Sequence, residues 1–147
     1  MSTLTESETG AGLAARLERV RMASFGALTM LVLQFVLGTA YGLYGTAPTA
    51  TKSVGLFSSP LLAIHVVLGI LILIAAAVLV FRAVQAKSGV VLASSVIALV
   101  AIIGAGASGG SFANNGSNGA SLGMAIATAV AMLCYAANLV IIGKRRG

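Results

Sequence analysis

Residues 60–81 read PLLAIHVVLGILILIAAAVLVF and contain no charged side chain. At 1.5 Å per residue a helix over this stretch is about 33 Å long, enough to cross a bilayer's hydrocarbon core. His65, the only histidine in the chain, lies five residues inside it. An ionisable group within a span costs free energy unless something satisfies it, so His65 is the first candidate for function.

Working outward, three more apolar runs appear, at about 23–44, 90–107 and 120–142. The chain has 147 residues, 59% hydrophobic and 8% charged. Its mean hydropathy is +1.05. A soluble domain of this length needs more polar sequence to cover its surface. The predicted fold is therefore all-α: an integral membrane, antiparallel four-helix bundle occupying 23–142 as one domain. Pro60 suits the first turn of its helix, where a missing N–H has no consequence.

Residues 1–22 divide into two parts. The first ten, MSTLTESETG, are small and polar and read as a disordered tail. From Gly12 to Met22, Leu13, Leu17 and Val20 recur at helical spacing between Arg16, Arg19 and Arg21. This is a short amphipathic helix. It either lies on the membrane surface or continues the first span into water. The first span, about 22 residues, exceeds the usual signal-peptide apolar region and reads as a retained anchor.

The loops are uncharged apart from Lys52. Residues 45–59 are rich in Gly, Ser and Thr, with Val54, Leu56 and Phe57 apolar enough to dip toward the membrane. Residues 109–119, GGSFANNGSNG, read as a second loop and include the acceptor pattern Asn115-Gly116-Ser117. A tight polar turn, Gln85 to Gly89, joins spans two and three.

The net charge of +6 would suggest nucleic acid in a soluble protein. Here the cations flank the spans instead, and no nucleic-acid partner is expected. Arg16, Arg19, Arg21, Arg82, Lys87, Lys144, Arg145 and Arg146 fall on one side of a four-span layout, and Lys52 alone on the other. The positive-inside rule then places both termini in the cytoplasm of a bacterial-type inner membrane, with 143–147 as a basic cytoplasmic tail.

Chemistry has few carriers. The single cysteine, Cys134, excludes an internal disulfide. No Walker loop, paired cysteines or HExxH occurs, and no catalytic residue is assigned. No Asp or Glu lies within a span, which leaves a transporter or channel without its usual ion-path residues. Gln34, Ser94, Ser95, Thr128 and Asn138 are intramembrane polar groups suited to interhelical hydrogen bonding. Gly38 and Gly42 form a GxxxG that admits a close helix neighbour.

His65 sits roughly 7 Å below the outer end of its helix. It has two readings: a hydrogen-bonded structural histidine, or an axial ligand of haem iron. Met124, about four residues inside the outer end of span four, is at matching depth and is a candidate second ligand. The alternative for Met124 is core packing.

Gln34-Phe-Val-Leu-Gly38 followed by His65-Val-Val-Leu-Gly69 resembles the first helix pair of haem A synthase-like proteins. The layout over 30–142, ending in Ser121-x-x-Met124, is similar to uncharacterised four-span membrane proteins of actinobacteria. In haem A synthases each four-helix half holds histidines near the outer face of its second and fourth helices. The resemblance thus implies haem b as cofactor, with His65 as ligand and Met124 in place of the second histidine. This chain lacks that second histidine and any intramembrane carboxylate, so the resemblance implies haem binding and not haem modification. The small-residue helix faces point to another role: an accessory subunit of a membrane assembly, or a homo-oligomer. That role is the leading expectation, haem binding or electron transfer the second, and a small transporter or channel the third.

Overall fold

A computed structural model describes the backbone of residues 2–144 and the side chains of residues 12–144. Four helices account for nearly all of it: α1 Ser2–Tyr44, α2 Pro60–Gln85, α3 Gly89–Asn115 and α4 Asn118–Lys144. No strand occurs among the described residues. Each of the four is long and apolar enough to cross a membrane. The expected basic tail beyond Lys144 lies outside the described residues.

Three boundaries differ from the sequence reading. α1 is one helix, with no break between the stretch read as a disordered tail, the amphipathic segment and the span. Extending an existing helix fixes one residue per hydrogen bond, whereas nucleating a second is unfavourable, so the continuous form wins. The amphipathic segment therefore extends the first span.

α2 continues past Phe81 to Gln85. α3 and α4 absorb most of the stretch read as the loop 109–119, leaving only Gly116 and Ser117 between them. Helical glycine costs about 1 kcal/mol relative to alanine. Packing offsets this. The Gly109 site faces Met124 Sδ, which would lie 3.2 Å from a Cβ there, and Gly123 faces Ser108 Oγ in the same way at 3.2 Å.

Local chemistry sets the ends. The Ser59 side chain accepts from Leu62 N at 3.2 Å, and Pro60 opens α2. Gly116, at φ 65°, caps α3 in the left-handed conformation, its N–H donating to Phe112 O at 2.8 Å. The 45–59 loop folds back over this end. Val54 N donates to Ala113 O at 2.9 Å, satisfying a carbonyl in the last turn of α3. Leu56 and Phe57 remain exposed, 45% and 68%.

The helices form a four-helix bundle, each packing on two others: α1 on α2 and α4, and α3 on α2 and α4. The Cα traces of the diagonal pairs α1–α3 and α2–α4 stay more than 8 Å apart. The buried positions step by three and four residues along every helix. They are Leu17, Val20, Ser24, Ala27 and Leu31 in α1; Ile72, Ala76, Leu79 and Ala83 in α2; Val91, Ser95, Ala98 and Ile102 in α3; and Thr128, Ala131, Tyr135, Asn138 and Ile142 in α4. This 3.5-residue period is the spacing by which packed helices keep one seam facing their neighbours.

Candidate functional site

Ser59 and Pro60 fix the start of α2 and so set the depth of His65 one to two turns later. Across from it on α1 stands Gln34, with Gln34 Nε2 and His65 Nε2 3.2 Å apart. Glycines on both sides make this approach work. Gly38 lies one turn past Gln34, and a Cβ there would sit 3.0 Å from His65 Cε1. Gly69 lies one turn past His65, and a Cβ there would sit 3.1 Å from Gln34 Nε2. Each polar side chain thus lies over the glycine of the opposing helix. The segments QFVLG and HVVLG, four residues of spacing in each, form one reciprocal lock.

The roles in this contact depend on the ring tautomer: with the ring proton on Nδ1, the Gln34 amide nitrogen donates to His65 Nε2. His65 Nδ1 and Gln34 Oε1 are both buried without a hydrogen-bond partner among the described residues. In that tautomer the pair keeps one unused donor and one unused acceptor.

Met124 is elsewhere. Its thioether packs against Gly109 of α3. Its helix, α4, and the α2 helix of His65 are diagonal in the bundle, with Cα traces more than 8 Å apart. No cluster of three metal-binding side chains occurs among the described residues.

Three of the remaining expected polar groups bond across helices. Asn138 Nδ2 of α4 donates to Ser95 Oγ of α3 at 3.2 Å, and Ser94 Oγ donates to Cys134 O at 2.9 Å. Ser95 Oγ in turn donates to Val91 O of its own helix at 2.7 Å. Thr128 differs: its hydroxyl donates to Met124 O, also on its own helix, at 2.8 Å.

Two residues escaped sequence reasoning. Tyr135 and Ser24 are fully buried, and neither hydroxyl has a partner among the described residues. Asn138 Oδ1 is in the same condition, one turn from Tyr135 on the same face of α4. The available signal was Tyr135 lying mid-span, far from the interfacial level where tyrosine is enriched.

Four apolar spans with a hydrogen-bonded polar pair inside the α1–α2 contact define a small polytopic membrane protein. No family model, curated protein or solved structure matches the chain.

Proposed function

We propose that this protein is an antiparallel bundle in a bacterial inner membrane, both termini cytoplasmic, that works by joining a second membrane helix. The partner is another copy or a larger membrane assembly in which this chain is an accessory subunit. Contacts support the antiparallel layout: Arg16 meets Gln85 and Gln34 meets His65, so α1 numbers rise as α2 numbers fall.

The observation that carries the role is the outward face of α3. Ile97, Val100, Gly104, Ala107 and Ser111 step by three and four residues and are all exposed. Beside them a Cβ added at Gly104, Gly106 or Gly110 would meet open space. Small residues at such spacing let helix backbones approach closely, which is what drives association in lipid. The four internal seams already satisfy the bundle, so this face is surplus to the fold.

Cysteine crosslinking in native membranes tests it. Ala107→Cys in a Cys134→Ala background gives a crosslinked species, whereas Val67→Cys on the large-residue face of α2 gives none. Monomer alone from Ala107→Cys would remove the reading.

A second reading, haem b ligation by His65 with Met124 as partner, rests on the resemblance to haem A synthase-like proteins. In the tautomer protonated on Nδ1, His65 carries on Nε2, beside Gln34, the lone pair that a haem iron takes. Gln34 would have to release that lone pair. A purified protein with no Soret band, or one whose band survives His65→Ala, excludes it.

A further inference from the structure

At the end of the bundle away from His65, Arg16 and Arg19 of α1 and Arg82 and Gln85 of α2 line a cavity of about 100 Å³. Arg16 Nη1 donates to Gln85 O at 3.1 Å, a carbonyl at the C-terminus of α2. That bond holds one wall of the cavity across the two helices. Arg21 pairs with Glu18 at 3.8 Å, and neither residue lines the cavity.

Three guanidinium groups around one cavity, without a carboxylate, make a donor set for phosphate. Each planar fork offers two parallel N–H donors to phosphate oxygens. The neighbouring surface says what the phosphate is attached to. Met22, three residues beyond Arg19, and Val78, four before Arg82, continue the same helix faces. They are 62% and 44% exposed. Within one helical turn the surface passes from guanidinium to bare apolar side chains. This is the profile of a headgroup–acyl boundary, where basic side chains meet anionic lipid.

We propose that this cavity holds the phosphate of an anionic membrane phospholipid, its acyl chains lying along Met22 and Val78. A positive-inside charge bias alone needs no cavity and no shared wall between helices, and Lys87 serves as its control.

The test is lipid retention by the full chain in neutral detergent, read by native mass spectrometry. Phosphatidylglycerol, phosphatidylcholine and inorganic phosphate are titrated separately. The proposal expects phosphatidylglycerol to be retained over phosphatidylcholine. It expects retention to fall about tenfold in Arg19→Gln/Arg82→Gln, one lost bidentate contact or more at 1.4 kcal/mol per tenfold. Lys87→Gln, a cation at the same end but outside the cavity, should bind as wild type. Equal retention by the double variant, or an equal loss in Lys87→Gln, overturns the site in favour of diffuse charge. Displacement of the lipid by millimolar inorganic phosphate overturns the lipid assignment. Arg19→Lys/Arg82→Lys guards against misfolding because it preserves the charge. Weakened retention supports a site built on guanidinium forks, and undiminished retention overturns it.

Discussion

Gly38 and Gly69 are the residues on which the α1–α2 contact turns. Neither needs an unusual backbone angle, and their role is space for a side chain from the opposite helix. A Cβ at Gly38 would lie 3.0 Å from the His65 ring, closer than a carbon contact tolerates. Gly38→Val should therefore push the imidazole off Gln34 and destabilise the protein by about 1–3 kcal/mol, the usual range for overpacking. Gly26→Ala, on the same helix with nothing within 4 Å, should instead be neutral or stabilise by up to about 1 kcal/mol. Thermal unfolding in detergent measures both, and equal effects would mean the lock has no energetic weight. The Asn138–Ser95 bond makes a second case. Asn138→Ala removes a fully buried interhelical donor and should lower stability by about 0.6–1.7 kcal/mol. His65 and Gln34 stood out in the sequence separately, as polar groups in apolar runs. That they face each other did not, because the pairing depends on how α1 is rotated about its axis.

The instructive element is the α3–α4 hairpin. Eleven residues, GGSFANNGSNG, have the composition of a flexible loop, yet all but Gly116 and Ser117 are helical. Helical order there is a consequence of contact with the facing helix, seen at Gly109–Met124 and Gly123–Ser108. The turn itself depends on Gly116. Its positive φ disfavours any side chain, and a Cβ would run into the Pro48 carbonyl of the overlying loop. Gly116→Ala should thus lower the unfolding temperature and free the 45–59 loop from Ala113. Faster proteolysis at that loop is the sensitive readout, and an unchanged cleavage rate would mean that the loop is anchored by other contacts. The start of α2 was legible in advance because Ser-Pro carries its own capping chemistry. The end of α3 was not, since glycine and asparagine mark both loops and helix caps.

For the whole molecule, hydropathy does not separate inside from outside, because large apolar side chains lie on both. Ala27, Ala76, Ala83, Ala98 and Ala131 are buried, while Phe35, Leu71, Ile74, Ile97 and Leu133 face outward and are about half exposed or more. Lipid accepts large apolar side chains as readily as a protein core does, and the buried alanines alternate with Leu31, Ile72, Leu79, Ile102 and Tyr135 where the helices approach closely. The same logic makes the small, outward-facing stretch of α3 conspicuous. The charge layout adds an orientation prediction. Ser53→Cys in the 45–59 loop should react with a membrane-impermeant maleimide in intact cells. Lys87→Cys should react only after permeabilisation, both in a Cys134→Ala background. The reverse pattern would invert the topology.

By itself the sequence determined the number of spans, their approximate places and the lack of an internal disulfide. These follow from hydropathy and composition summed over some twenty residues, which no packing detail changes. Only the tertiary structure decided that α1 is one unbroken helix, that a two-residue turn joins α3 to α4 and that Gln34 meets His65 over paired glycines. It also brought Arg16, Arg19 and Arg82 around one cavity. Each of these depends on helix rotation and on which helices are neighbours. In spans that are apolar on every side, hydropathy alone does not distinguish the buried seam from the face toward lipid.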